Sequence, residues 1–205
     1  MATKLKICGM KFPENILEIS QLKPDFLGFI FYNKSPRNFE GEIPDLPEEI
    51  KKVGVFVNDS SDEILQKAKQ HNLDFIQLHG NESPEFCSEI QKEIPVIKAF
   101  SVDEYFDFDT LNDYENSCDY FLFDTKGKNH GGNGITFDWS LLDNYKLEKK
   151  YFLSGGISLE NAPKLLEFLK AKSAENCVAV DINSQFETLP GLKNTAKITE
   201  FKSKL

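Results

Sequence analysis

The chain has 205 residues, of which 40% are hydrophobic, 12% aromatic and 28% charged. This length suits a single domain with a sizeable core, and we expect residues 1–205 to form one domain. The formal net charge of -9 argues against a general nucleic-acid or anionic-membrane surface, because either partner attracts a basic field. A local phosphate site remains possible, since backbone N–H groups bind anions without net positive charge.

No targeting or metal-binding pattern stands out in the sequence. Met1 leads directly into Lys4–Ile7, which is too short and too charged for a signal peptide, and no apolar run approaches the ~20 residues of a membrane span. The cysteines form no CxxC pair and, with the three histidines, no zinc-ligand spacing. We therefore expect a cytoplasmic protein without metal or other cofactor, with four free thiols at Cys8, Cys87, Cys118 and Cys177.

Eight short runs rich in β-branched and aromatic residues follow one another along the chain. They are continuous apolar runs rather than strictly alternating ones, which is typical of parallel strands covered on both faces. The predicted strands are Lys4–Cys8, Phe26–Phe31, Lys52–Val57, Phe75–Leu78, Pro95–Ala99, Tyr120–Asp124, Tyr151–Ser154 and Val178–Ile182.

Helical patterns lie between these runs. Ser83 opens one of them with Ser-Pro-Glu, which provides an N-cap, a first-turn proline and an early acidic residue. The segment 33–47 contains three prolines and is predicted to be a loop. Helices are predicted at Pro13–Leu22, Ser61–His71, Ser83–Glu93 and Leu159–Lys170, with weaker patterns at Trp139–Tyr145 and Lys193–Phe201.

Alternation of strands and helices indicates parallel βαβ units. Eight such units form either a closed barrel or an open doubly wound sheet. The repeats are even, and Cys8-Gly9-Met10 after the first strand is no GxGxxG fingerprint, so the pattern favours the barrel. The predicted fold class is α/β, a (βα)8 TIM barrel with eight parallel strands.

In such a barrel the active-site groups follow the carboxyl ends of the strands. Cys8 ends the first strand, where it is either a buried small hydrophobic residue or, beside a cation that favours thiolate, a base. Asp124 ends the sixth strand, where it is either a loop cap or a partly desolvated general acid. Arg37 is either a solvated loop residue or a fork for a substrate carboxylate.

Glycine-rich segments supply the candidate anion sites. Ser154-Gly155-Gly156 follows the seventh strand, where barrels often bind phosphate. Lys126–Gly134 lacks the ending of a P-loop and is predicted to be an active-site flap. His79 and His130 are candidates to lie near the site, with a structural role as the alternative for each.

Several motifs, in order along the chain, resemble the phosphoribosylanthranilate isomerase family. The similarity runs from the first strand to the last helix. The motifs are Lys6–Gly9, Leu27–Phe31, Lys34–Arg37, Val53–Val57, Gln77–Gly80, Phe123-Asp124, Gly131–Gly134 with Phe137–Trp139, Leu153–Gly156 and Asp181–Gly191.

The resemblance implies an Amadori rearrangement in tryptophan biosynthesis, from N-(5-phosphoribosyl)anthranilate to 1-(2-carboxyphenylamino)-1-deoxyribulose 5-phosphate. It implies Asp124 as general acid and Cys8 as general base, without a cofactor. Arg37 would hold the anthranilate carboxylate. The implied substrate-binding residues also include His79, Gly155, Gly156, Asp181, Asn183 and Ser184. The partner is a small-molecule substrate, and the protein is expected to be a monomer or homodimer.

The sequence departs from the family pattern where many members carry Ser-Ser-Gly-Val-Glu. Here the segment reads Asn183-Ser184-Gln185-Phe186-Glu187, so Gln185 replaces a glycine that would let the backbone curl around phosphate. Lys193-Asn194 likewise replaces a common Lys-Asp pair. These differences leave the details of the phosphate site open.

Two other functions remain alternatives. One is another phosphosugar isomerase on the same barrel, such as a relative of the histidine-pathway enzyme, which uses two aspartates. The cysteine at position 8 argues against it. The other is a non-catalytic barrel that binds phosphorylated ligands, and the presence of both candidate catalytic residues argues against that.

Overall fold

A computed structural model describes residues 3–125 and 138–205. Eight parallel strands form a closed barrel in which each strand is hydrogen-bonded to the next and the eighth to the first. The predicted (βα)8 barrel is therefore confirmed. The strands are β1 Lys4–Ile7, β2 Phe26–Ile30, β3 Lys51–Phe56, β4 Phe75–Leu78, β5 Val96–Val102, β6 Tyr120–Thr125, β7 Tyr151–Leu153 and β8 Cys177–Ile182.

In the described part of the chain five α-helices surround the barrel, and their ends follow local capping chemistry. The Ser60 side chain accepts a hydrogen bond from the Glu63 N–H, and the Glu63 carboxylate accepts one from the Ser60 N–H, a capping box that starts the second helix. Ser83 caps the third helix in the predicted way. The helices are α1 Pro13–Ser20, α2 Ser61–His71, α3 Pro84–Gln91, α4 Ala162–Phe168 and α5 Thr195–Lys202.

Two predicted helices differ from the observed ones in type or by three residues at one end. Trp139–Asn144 is a 3-10 helix rather than an α-helix, and the chain turns to an extended conformation at Tyr145. The helix predicted from Leu159 begins at Ala162, because Ser158 and Asn161 exchange side-chain hydrogen bonds that hold a non-helical turn. The predicted loop 33–47 has no helix.

The inside of the barrel changes character along its axis. At its amino-terminal end it is filled by an apolar cluster in which the rings of Phe26 and Phe152 meet edge to face, 5.2 Å apart. Toward the carboxyl ends, side chains at alternate positions of the same strands are polar, as with Leu122 and then Asp124 on β6. The core therefore closes one end of the barrel and leaves a polar cavity at the other.

The chain beyond β8 folds back over the rim of that cavity. A 3-10 helix at Ser184–Phe186 leads into a hairpin of β9 Glu187–Leu189 and β10 Leu192–Lys193. Asn15 on α1 accepts from the Lys193 N–H at 2.8 Å and donates to its carbonyl at 3.0 Å. The hairpin is thus tied to the barrel. Among the residues described, no helix is long and apolar enough to cross a membrane.

Candidate active site

One cavity opens at the carboxyl ends of the strands, and every candidate residue of the described chain lines it. The glycine-rich segment 126–134, His130 and Phe137 lie outside the described residues. The predicted residues that line the cavity are Cys8, Arg37, His79, Asp124, Gly155, Gly156, Asp181, Asn183 and Ser184; other lining residues include Tyr32, Ser35, Gln77, Thr125 and Ser154.

Cys8 lies directly after β1, where its N–H donates to the Ile182 carbonyl at 2.9 Å. A Cβ atom on Gly28 would come within 2.8 Å of the Cys8 Sγ, so glycine makes room for the thiol. Burial raises the pKa of Cys8, while the positive charges of Lys6 and Lys193 oppose that rise. The sequence predicted that a cation would favour thiolate. The cations are present, but desolvation outweighs them and the resting group is a thiol.

A buried ion pair lies behind Cys8. Lys6 Nζ is 2.9 Å from Asp181 Oδ2, and the two side chains are 0% and 5% exposed. Although burial lowers it, the pKa of Lys6 is raised overall by the Asp181 carboxylate and by Cys8, so the lysine stays charged. Sequence reasoning did not single out Lys6. A lysine between two apolar residues of a buried strand was the available signal, because it requires a buried partner.

Asp124 is held by contacts on both carboxylate oxygens. Its Oδ1 accepts from the Thr125 N–H at 2.8 Å, and its Oδ2 lies 3.3 Å from His79 Nε2. The Gln77 amide nitrogen is 2.8 Å from His79 Nδ1. An amide nitrogen only donates, so in this orientation of the Gln77 amide Nδ1 accepts, and the neutral ring carries its proton on Nε2. His79 Nε2 therefore lies at ion-pair distance from the Asp124 carboxylate.

The loop that carries His79 is fixed by a second buried ion pair. Lys98 Nζ lies 2.9 Å from Glu82 Oε2, and both side chains are 3% exposed. Glu82 also accepts from the N–H groups of Asn58 and Gly80, while Lys98 donates to the Gly80 carbonyl at 2.8 Å. Burial opposes but does not prevent a lowered Glu82 pKa, because Lys98 and these N–H groups stabilise the carboxylate. The loop is therefore held by charge and backbone contacts together.

Arg37 is not a solvated loop residue. Its Nε lies 3.0 Å from both carboxylate oxygens of Glu187, and its Nη2 lies 2.7 Å from Oε2, in a two-pronged ion pair. The side chains of Arg37 and Glu187 are 12% and 4% exposed. The guanidinium is consequently oriented at the cavity wall, although Glu187 was not among the predicted site residues.

Glycines shape the opposite wall of the cavity. Gly155 and Gly156 have φ values of +91° and +62°, in the region that favours glycine. A Cβ atom on Gly155 would lie 2.2 Å from Thr125 Oγ1 and 2.6 Å from the Thr125 nitrogen. Gly155 is therefore needed both for its backbone conformation and for the close approach of β6 and β7.

The substitution at position 185 leaves the neighbouring backbone intact. Gln185 lies within the 3-10 helix Ser184–Phe186 and is not among the residues with positive φ. Glycine is therefore not required there for its conformational range. Asn183 and Ser184 still line the cavity beside Gly155 and Gly156. The two polar segments meet in the way that the sequence predicted for an anion site.

The fold and the site together define a (βα)8-barrel enzyme whose cavity joins an acid, a thiol and two regions suited to anions. No group of three or more described His, Cys, Asp or Glu side chains is arranged to hold a metal ion. A family model for N-(5'-phosphoribosyl)anthranilate (PRA) isomerase matches residues 5–204. The chain belongs to this isomerase family.

Individual relatives agree with the family model. The N-(5'-phosphoribosyl)anthranilate isomerase of Parabacteroides distasonis is 43% identical over 205 residues, which cover 96% of this chain and 90% of the relative. The crystal structure of phosphoribosyl anthranilate isomerase from Thermus thermophilus aligns with a TM-score of 0.86 at 27% identity, covering 98% of each chain. A phosphoribosyl anthranilate isomerase in complex with reduced 1-(o-carboxyphenylamino)-1-deoxyribulose 5-phosphate aligns with a TM-score of 0.80 at 32% identity, covering 99% of this chain and 98% of the other.

Proposed function

We propose that this protein isomerises N-(5-phosphoribosyl)anthranilate to 1-(2-carboxyphenylamino)-1-deoxyribulose 5-phosphate, with Asp124 as general acid and Cys8 as general base. These catalytic roles rest on one observation: Asp124 and Cys8 line the same cavity as Arg37 and the Gly155-Gly156 turn. The substrate carries a carboxylate and a phosphate, so an acid and a base between two anion-binding regions match its chemistry. Family membership supports the reaction itself.

Asp124 acts first, on the closed sugar ring. It donates its proton to the furanose oxygen as the bond from that oxygen to C1′ breaks, and the anthranilate nitrogen's electron pair forms the C1′=N bond of a Schiff base. The resulting Asp124 carboxylate accepts from the Thr125 N–H and lies 3.3 Å from His79 Nε2. These contacts stabilise the negative charge that develops on Asp124 as the proton is transferred.

Cys8 acts second, on the open-chain Schiff base. Its thiolate removes the C2′ proton, and the C2′–H electrons form a C1′=C2′ double bond as the iminium nitrogen is neutralised. The enolamine then tautomerises to the ketone. Because burial raises the pKa of Cys8, the thiol must first release its proton to solvent, and the thiolate then takes up the C2′ proton. Lys6 and Lys193 are the positive groups that stabilise the thiolate.

The two anionic groups of the substrate bind in separate regions of the cavity. The Arg37 guanidinium pairs with the anthranilate carboxylate, and the backbone around Gly155, Gly156, Asn183 and Ser184 holds the phosphate. Among the described residues, Asp181 Oδ1 is buried without a hydrogen-bond partner, while Oδ2 accepts from Lys6. That oxygen is suited to accept from a sugar hydroxyl, which gives Asp181 its substrate-binding role.

A fluorescence assay tests the reaction and the base together. Phosphoribosyl anthranilate is generated in situ from anthranilate, and its conversion is followed with wild type, Cys8→Ser and Cys87→Ser. Cys87 is a matched control because it is a fully buried thiol on α3, away from the cavity. We expect turnover by wild type and Cys87→Ser and its loss in Cys8→Ser. Absence of turnover by folded wild type would refute the function, whereas an active Cys8→Ser variant would remove only Cys8 as base.

Two properties of the whole protein are also proposals. Residues 1–205 are assigned to one catalytic domain, which the match of the family model to residues 5–204 supports. The protein is expected to work in the cytoplasm as a monomer or homodimer. Analytical ultracentrifugation at micromolar concentration measures the mass directly, and any larger assembly would contradict this expectation.

A further inference from the structure

Glu187 occupies only one of the two edges of the Arg37 guanidinium. A guanidinium offers two pairs of parallel N–H donors, one from Nε and Nη2 and one from Nη1 and Nη2. Glu187 binds the first pair. Within the described residues, Nη1 donates no hydrogen bond to the protein, and Arg37 lines the cavity. The second edge is therefore free for a planar, two-oxygen acceptor.

Glu187 is itself held from the side away from Arg37. Lys193 Nζ lies 2.6 Å from Glu187 Oε1, and the Gly191 N–H donates to the same oxygen at 3.1 Å. Burial opposes but does not prevent a lowered pKa of Glu187, because Arg37 and Lys193 stabilise the carboxylate. Glu187 is thus a fixed negative charge, and it cannot rotate away from Arg37 without breaking the contact to Lys193.

Lys193 links this ion pair to Asn183, in the proposed phosphate region. Its side chain is 0% exposed, and its Nζ also lies 2.7 Å from Asn183 Oδ1. A Cβ atom on Gly9 would lie 2.8 Å from Arg37 Cδ and 2.7 Å from Asn183 Oδ1, so Arg37 and Asn183 converge over that glycine. One connected set of polar contacts thereby spans the carboxylate and phosphate regions.

The charges of this set favour an incoming anion. Arg37 and Lys193 contribute two positive charges and Glu187 one negative charge, which leaves a net positive charge at the cavity wall. Without Glu187, the Arg37 side chain would lose the hydrogen bonds from Nε and Nη2 to that carboxylate and would sample other rotamers. Part of the free energy of substrate binding would then be spent on ordering the Arg37 side chain.

We propose that Glu187 is a specificity-determining positioning residue, which with Lys193 orients Arg37 so that the free guanidinium edge receives the substrate carboxylate. Glu187 acts through Arg37 and touches no substrate. The inference rests on the proposed function, because it assigns the carboxylate to Arg37. It predicts that loss of Glu187 weakens recognition of the carboxylate and leaves recognition of the rest of the substrate unchanged.

Calorimetric titration with two ligands separates these effects. The first ligand is reduced 1-(2-carboxyphenylamino)-1-deoxyribulose 5-phosphate, and the second is its phenylamino counterpart without the carboxylate. We expect Glu187→Gln to raise the Kd of the first ligand about 10- to 100-fold, as for a lost hydrogen bond to a charged group, and that of the second less than about twofold. Thr188→Ala, on the exposed part of the same hairpin, serves as control and should change neither Kd.

Other outcomes overturn the inference. Equal rises in both Kd values would make Glu187 a general structural residue, and no rise in either would remove its role. If Glu187→Gln does not fold, Glu187→Asp keeps the charge but shortens the side chain, and the same selective loss is expected at smaller size. If wild type binds both ligands equally, the carboxylate assignment of Arg37 fails and this inference with it. A separate measurement of phosphoribosyl anthranilate turnover by wild type then shows whether the proposed function holds without this inference.

Discussion

The imidazole Nε2 of His79 lies 3.3 Å from Oδ2 of Asp124, the group to which we assign acid catalysis. His79 is held in turn by Gln77 on the opposite ring nitrogen and by the Lys98–Glu82 ion pair beneath its loop. The arrangement fixes the imidazole beside the Asp124 carboxylate, which is 7% exposed. The first two predictions follow from this contact.

Replacing Asp124 by asparagine should remove the transferable proton while keeping the shape of the side chain. We expect kcat to fall roughly 10²- to 10⁴-fold, the usual contribution of a general acid. The melting temperature should change little, because the apolar cluster of the barrel does not include this carboxylate. Steady-state kinetics with circular dichroism checks both statements. A variant that keeps more than about a tenth of wild-type kcat would exclude Asp124 as the acid.

Gln77 should influence catalysis only through His79. Gln77→Met removes the donor to Nδ1 and lets the ring proton move away from Asp124, so we expect a several-fold lower kcat. His79→Gln should lower kcat more. The double variant should be no slower than His79→Gln alone, because the imidazole through which Gln77 acts is already absent. Additive losses in the double-mutant cycle would show that Gln77 acts by another route.

The pH dependence of kcat/KM should reflect the titration of the buried Cys8 thiol. Burial raises the pKa of Cys8 above its ordinary value of 9.0, so the base form is scarce at neutral pH and accumulates only as pH rises. Burial also lowers the pKa of Lys193 to about 8, and loss of that nearby charge disfavours thiolate further. We therefore expect kcat/KM to keep increasing beyond pH 9. Two measurements check this: kcat/KM as a function of pH, and the thiolate absorbance of wild type minus that of Cys8→Ser. A titration midpoint of Cys8 below about pH 8 would show that the nearby cations, not desolvation, set its pKa.

Comparing alanine substitutions at Gly155 and Gly41 distinguishes the effect of steric crowding from that of backbone strain. Both have positive φ values, +91° and +132°, but a Cβ atom on Gly155 would collide with Thr125 whereas one on Gly41 meets nothing within 4 Å. We expect Gly41→Ala to cost about 1–3 kcal/mol of unfolding free energy from strain alone. Gly155→Ala should cost more and also raise KM. Urea unfolding measures the difference, and equal losses for both variants would mean that the contact with Thr125 relaxes freely.

The Lys98–Glu82 pair should matter more than an exposed pair. Lys98→Met leaves the Glu82 carboxylate buried without its cation, a change that typically costs about 3–5 kcal/mol. Lys51→Met breaks the pair with Asp74, whose two side chains are 46% and 30% exposed, and should cost less than about 1 kcal/mol. Urea unfolding at pH 7 compares them. Similar losses would indicate that Lys98 contributes only packing.

The same pair predicts how stability responds to acid. The folded-state pKa of Glu82 is lowered, so its contribution is present above the unfolded value near 4.5 and is lost as pH falls through the folded value. Wild-type stability should therefore drop below about pH 4.5, and the drop should be smaller in Lys98→Met. An unchanged acid dependence in that variant would contradict the assignment.

The spacing of apolar runs was enough to predict eight parallel strands and the rim at which they end. Cys8 and Asp124 were predicted because each ends a predicted strand, where the active-site groups of a barrel lie, and because both fall in motifs that resemble the isomerase family. One predicted helix begins three residues too early, since Ser158 and Asn161 exchange hydrogen bonds that compete locally with helix formation, and another is a 3-10 helix rather than an α-helix. The spacing of apolar residues along the chain does not predict side-chain hydrogen bonds of this kind.

The charged partners of the site were decided by the closed barrel. Lys6 and Asp181 are 175 residues apart along the chain, yet they stand opposite each other because β8 pairs with β1 in a single register. Arg37 and Glu187 are 150 residues apart and meet only because the hairpin after β8 folds over the rim. The sequence by itself determined the strands, the barrel and the position of the thiol and the acid, since periodicity and burial are local properties. Only the tertiary structure determined which charges meet and that burial raises the pKa of Cys8, because pairing and desolvation depend on every strand around the barrel.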